Sequence, residues 1–230
     1  MAKTSPAKIT NRITELIFLL AVLITAVFLW DTYFIYPIKL FVVLIHELSH
    51  ALIAIITGGT VKSIEIGFDL GGKIDADGGS EIAISSAGYI GSLFIGLLLF
   101  ISAHRPKFGK YFLFTLTGIL IITLVSSNPT LTFGLLVIVV CISLVLFAVS
   151  LSNKIIALIV KAIAMSSILY VLVDIKEDVF SKNLTSDAEI LSNLTGINSL
   201  LIGIIWIAFS VICLLLLIRW VYFSKKTNRL

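Results

Sequence analysis

Charge is scarce in this chain. Lys, Arg, Asp and Glu make up 13% of its 230 residues, where a soluble domain carries about 25%. A water-soluble fold of this length has no way to hide the 59% that is hydrophobic, and the mean hydropathy of +1.13 makes the bilayer part of the fold. Cysteine is almost absent. Cys141 and Cys213 both lie inside apolar runs, which excludes a disulfide framework and thiolate metal ligands and leaves them as small core hydrophobes. No small-residue cleavage site follows the first apolar run, where Trp30-Asp31-Thr32-Tyr33 stands instead, so it does not read as a cleaved signal peptide. No basic stripe is interleaved with aromatics, so nucleic acid is not the expected partner. The basic residues gather near the two ends and at His104-Arg105-Pro106-Lys107, a pattern suited to the anionic face of a membrane.

What is present is a series of long apolar segments: Ile13–Trp30, Ile38–Thr57, Glu81–Ala103, Tyr111–Ser127, Thr130–Leu151, Lys154–Ile175 and Ser199–Phe223. Each reads as a helix long enough to approach or span about 30 Å of hydrocarbon. The expected architecture is an all-α polytopic protein of the cell membrane, with six to seven transmembrane helices in a single domain over residues 1–230. Three stretches interrupt it. Residues 58–80 alternate in part and contain Gly71-Gly72, which predicts a short β-hairpin. Asn128-Pro129 predicts a tight turn. Residues 176–198 read as a polar, net acidic loop. Seven crossings would put the basic termini on opposite faces, against the positive-inside bias. Six satisfy it if the helix holding His46 re-enters together with the hairpin on one side.

Against this apolar background, His46-Glu47-Leu48-Ser49-His50 falls in the middle of a span. Residues four apart share a helix face, so both imidazoles can reach one zinc ion. Glu47 is too close to His46 to serve easily as a third ligand and is free to take a proton from water. Three His and six Glu scattered at random form this pattern in roughly one such sequence in a thousand. A charged residue at a helix centre in lipid costs about 2.5–3.5 kcal/mol on insertion scales, which a bland hydrogen-bonding cluster of three ionisable groups explains poorly. A catalytic zinc takes a third protein ligand. With no spare His or Cys the expectation is a carboxylate: Asp174 first, at the end of a long apolar run, with Asp187 and Asp178 as alternatives. Gly88, Ser92 and Gly96 repeat every four residues and predict a smooth helix face for close packing, with the zinc helix as one possible neighbour.

The stretch His46-Glu47-Leu48-Ser49-His50-Ala51-Leu52, then Thr57-Gly58-Gly59, a hairpin, and Ala87-Gly88-Tyr89-Ile90-Gly91 resembles the site-2 protease family of intramembrane zinc metalloproteases, in its short branch without a PDZ domain. The resemblance covers about residues 38–100. It implies a zinc-dependent endopeptidase that cuts a membrane-embedded or juxtamembrane peptide bond, with His46 and His50 as metal ligands and Glu47 as catalytic base. It also implies that the hairpin presents substrate as an added strand, with Val61, Ile64 and Ile66 as substrate-binding residues. The family's usual third ligand is an Asp in a Leu-Asp-Gly motif, often near an Asn-Pro turn. This chain has no Leu-Asp-Gly. The rival readings are a metal-ion-binding membrane transporter, which needs more intramembrane charge than Lys161 and Glu81 offer, and a non-catalytic scaffold, which has no need of Glu47.

Overall fold

The computed structural model describes residues 6–30, 32–126, 130–174 and 186–223. Its helices are α1 (Pro6–Phe28), α2 (Tyr36–Ile56), α3 (Glu81–Ala103), α4 (Pro106–Ser126), α5 (Leu131–Ser150), α6 (Asn153–Ile168), α7 (Asp187–Thr195) and α8 (Ser199–Ile218). After Leu169 the chain is helical again over 170–174, and α8 runs into a π-helical turn, Arg219–Phe223. Among the described residues, α2, α3, α5, α8 with its π turn, and Phe108–Val125 of α4 are each long and apolar enough to cross a membrane. Their outward faces carry many large exposed apolar side chains, as helices solvated by lipid should. The protein is thus an integral membrane protein, all-α among the described residues but for one hairpin.

The hairpin pairs β1 (Thr60–Ile66) with β2 (Gly72–Asp77) in antiparallel register, Ile64 opposite Ile74 and Ile66 opposite Gly72, with an irregularity between Val61 and Ser63. Alternation then sends Ile64 and Ile66 into the core and Glu65 outward. At the tip, Leu70 has φ +62°, a left-handed conformation that costs an L-residue about 1–2 kcal/mol. Its side chain is buried in the main core, which returns about 1.5–3 kcal/mol and holds the tip down. Thr57 joins the hairpin's two ends: its hydroxyl donates to the Ile53 carbonyl at 2.7 Å and accepts from the Ser80 N–H at 3.1 Å. The end of α2 is thereby tied to the N-cap of α3.

Helix directions follow from the contacts. His50 meets Ile84 while His46 lies against Gly88, so α2 and α3 are antiparallel. Phe100 of α3 faces Lys161, Gly96 sits against Ala164 and Ile168, and Tyr89 packs with Val171, so α6 is antiparallel to α3 and parallel to α2, with Tyr170 beside His46. Glu15 pairs with Lys161 and Trp30 packs on Tyr170, so α1 also runs parallel to α6. Consecutive helices α1 and α2 therefore point the same way. Their link, 29–35, reaches at most about 25 Å, less than the hydrocarbon thickness, so both cannot be complete crossings. The expectation that the His46 helix and hairpin re-enter together is corrected here. α2 has the length and apolarity of a crossing, and the incomplete segment is α1, whose described apolar part is Ile13–Phe28.

The predicted polar loop over 176–198 is also corrected in part: its described portion contains helix α7. Asn128-Pro129, and Asp178 among the candidate ligands, lie outside the described residues. Glu15 accepts hydrogen bonds from Lys161 and, at 2.7 Å, from the Tyr222 hydroxyl, tying α1, α6 and the C-terminal π turn together. Lys161 is buried, and removing its partner strands a charge. Glu15→Ala should therefore destabilise the protein by on the order of 3 kcal/mol, while Glu15→Leu with Lys161→Leu should come close to neutral. Unfolding in detergent, run as a double-mutant cycle, measures both.

Candidate metal centre

His46 and His50 project from one face of α2, as their spacing predicts, and both are buried. Their Nε2 atoms are 3.0 Å apart. The third corner is Asp187, whose Oδ2 lies 3.0 Å from each Nε2. The three donor atoms make a small equilateral triangle from two helices on separate parts of the chain. His50 Nδ1 stands 2.6 Å from the Ile84 carbonyl. A carbonyl only accepts, so Nδ1 carries the proton and Nε2 keeps its lone pair for the centre of the triangle. The His46 ring packs edge-on against Tyr170 and Tyr89, with centroids at 5.0 and 5.8 Å. Burial alone would favour a neutral Asp187, but the rings of His50 and His46, when protonated, set positive charge and N–H donors beside it and hold its carboxyl far below the usual carboxylate range.

Asp174 is not part of this triangle. It ends the helical stretch 170–174, where the hydroxyls of Tyr89 and Tyr170 turn toward it and His46 is a near neighbour. The reason Asp187 takes the corner is α7. Ser186 caps that helix, its Oγ accepting from the Glu189 N–H at 3.2 Å, so Asp187 falls in the first turn. Ala188 and Leu191 then pack on Ile202 and Trp206 of α8, and the helix lies against α3, which leaves the Asp187 carboxylate facing the histidines of α2. Gly196, at φ +74°, ends the helix in the left-handed cap that glycine favours. The sequence carried a signal for all of this. Ser186 followed by Glu189 is a capping-box pattern, with Ala188 and Leu191 on one face and Gly196 as a stop.

Small residues bring the walls in. A Cβ on Gly88 would fall 2.3 Å from His46 Cε1 and 2.5 Å from His50 Nε2. A Cβ on Gly91 would fall 2.2 Å from Ser49 Oγ. The smooth face expected on α3 therefore packs on the zinc helix, and at Gly96 on α6. Glu47 is buried, and its carboxyl lies beneath Gly72, where a Cβ would meet Oε1 at 2.2 Å. The start of β2 thus forms a roof over Glu47. Val61, Ile64 and Ile66 are brought near the site on the hairpin, but not as an open surface. Ile64 and Ile66 are 2% and 1% exposed and Val61 is half-buried against the same core. Their side chains anchor the hairpin, because β1 turns its apolar face inward.

The donor set suits zinc. A tetrahedral ion at about 2.0–2.1 Å from each donor separates the donors by about 3.3 Å, close to the observed 3.0 Å. Two imidazoles and one carboxylate are the ligand set of a catalytic site that keeps a position open. Asp187 Oδ2 is buried without a well-directed hydrogen bond among the described residues, an unfavourable state that a cation relieves.

A His-Glu-x-x-His helix in a membrane-embedded bundle, closed by a distant aspartate, defines the class of intramembrane metallopeptidases. Residues 19–217 match the Peptidase M50B-like family, and the chain belongs to that family of site-2-protease-like metallopeptidases. No curated protein and no solved structure matches the chain.

Two substitutions separate the roles of the acids and the glycine. Asp187→Ala should lower metal occupancy of the purified protein to a small fraction of wild type, whereas Asp174→Asn should retain it. Gly88→Ala should also abolish occupancy with helical content unchanged by circular dichroism. Elemental analysis after gel filtration reads all three.

Proposed function

We propose that this protein is a zinc-dependent intramembrane endopeptidase that hydrolyses a peptide bond in a membrane-embedded or juxtamembrane segment of another protein. The observation that carries the reading is the triangle of His46, His50 and Asp187 with a buried glutamate, Glu47, one residue from the first ligand. A purely structural metal site has no use for that glutamate.

His46, His50 and Asp187 would hold the ion, which supplies Lewis acidity: it makes a water molecule a stronger acid and polarises a carbonyl. Glu47 acts as the base. It removes a proton from the attacking water and returns it to the leaving amine as the carbon–nitrogen bond breaks. The Ile84 carbonyl keeps the His50 ring in one tautomer and orientation throughout. Tyr89 and Tyr170 wall the His46 side and keep Asp174 beside the ligands without making it one. The roof of β2 over Glu47 shields the carboxylate from bulk water.

A substrate helix has its scissile bond masked by backbone hydrogen bonds and must unwind locally before attack. An extended segment laid beside the hairpin would be held through backbone N–H and C=O groups, since the Val61, Ile64 and Ile66 side chains are committed to the core. The acidic hairpin and α7 give water a polar route to the site.

Glu47→Gln tests the assignment. It should keep zinc at wild-type occupancy while cleavage of single-span reporter proteins falls by about 10²–10⁴-fold. Cleavage at the wild-type rate with zinc bound would reject Glu47 as the base.

A further inference from the structure

The two histidines are held unequally. His50 has an acceptor for its second ring nitrogen, the Ile84 carbonyl at 2.6 Å from Nδ1. His46 Nδ1 is buried and has no hydrogen-bond partner among the described residues. A metal-bound imidazole almost always gives its other N–H to an acceptor, which fixes the ring and makes it a stronger ligand. Three carboxylates act on His46: Asp187, Glu47 and Asp174. Asp187 faces Nε2, and the Glu47 carboxyl lies beneath Gly72. Asp174 remains, on the side where Tyr170 and Tyr89 stand edge-on to the His46 ring. The hydroxyls of both tyrosines are turned to its carboxylate.

Several elements fix this arrangement. Tyr170 and Asp174 are four residues apart in the helical stretch 170–174, so they share a face. Tyr89 follows Gly88, whose missing side chain brings α3 onto the imidazoles. From outside, Tyr89 packs with Trp206 of α8 and Tyr170 with Trp30, at centroid distances of 6.3 and 5.9 Å. An ionised carboxylate only accepts, so both hydroxyls donate to it, and such a charge among apolar helices is costly unless it offsets another. We propose that Asp174 is a positioning residue for the metal centre. Held by Tyr89 and Tyr170, it supplies the negative charge that polarises the Nδ1–H of His46 while Nε2 faces the ion. His50 is backed by a neutral carbonyl and His46 by a carboxylate, which makes His46 the more basic ligand of the pair. Loss of the Asp174 charge loosens the ion without removing a ligand. The role rests on the zinc-peptidase reading only in placing zinc between His46, His50 and Asp187.

Full-length protein in detergent, stripped of metal and titrated with zinc against a chromogenic chelator, tests the role. Asp174→Asn should weaken zinc binding by about 10–100-fold, a loss that competition detects although the site stays filled through purification. Tyr89→Phe and Tyr170→Phe keep the rings and remove one donor each, and each should weaken zinc binding by a smaller factor. In the Asp174→Asn background the same two changes should alter affinity by less than about twofold, because the tyrosines act through the carboxylate. With cobalt(II) in place of zinc, Asp174→Asn should displace the visible absorption bands of the bound ion. The metal-free variant should unfold at the wild-type midpoint. Zinc affinity within about twofold of wild type, an unchanged cobalt spectrum, or a loss that tracks a lowered midpoint of the metal-free protein each overturns the inference while leaving the peptidase reading intact. A wild type that takes up no zinc rejects that reading and the role of Asp174 with it.

Discussion

Everything at the centre depends on how closely α3 can approach α2. An imidazole pair on a membrane helix is a liability unless its polar atoms are engaged, because lipid offers no hydrogen bonds. Gly88 lets the α3 backbone come to where a side chain would collide with both rings. At that distance the Ile84 carbonyl, one helical turn earlier, can engage His50 Nδ1. The same approach continues through Gly91 at Ser49 and then passes to α6 at Gly96. A row of absent side chains thus sets the width of the site, the tautomer of one ligand and the packing of the third helix.

The site is completed from outside this helix core. α7 is short and only weakly apolar, and it would not hold its shape alone. It is kept by a serine cap at one end, a glycine at the other and two small contacts on α8. What those modest interactions secure is the position of one carboxylate oxygen within 3.0 Å of two nitrogens. On the opposite wall the hairpin does a comparable job. Leu70 and the isoleucines of β1 press it into the core, and Gly72 is carried over Glu47 as a result.

The polar cluster of Glu15, Lys161 and Tyr222 belongs to the other end of the bundle. It joins the first helix to the last and compensates a lysine that would otherwise stand alone in the membrane. Its distance from the metal centre separates two uses of buried charge in one small protein, one holding the chain's ends together and one for chemistry.

Composition and periodicity were enough to establish a helical membrane protein, the hairpin after the second helix, and the roles open to His46, Glu47 and His50. These depend on local facts: hydrophobic run length, alternation, and the i,i+4 geometry of a helix. Three features were decided only by tertiary structure. Asp187 rather than Asp174 meets the histidines because α7 docks on α3 and α8, although the Ser186–Glu189 pattern could have announced the helix itself. The apolar face of β1 turns into the core, since which face of a two-stranded ribbon turns inward depends on what lies beneath it. α1 is parallel to α2 because Glu15 and Trp30 find partners along α6. A hydropathy profile measures how long each segment is and cannot register the direction in which neighbouring helices run.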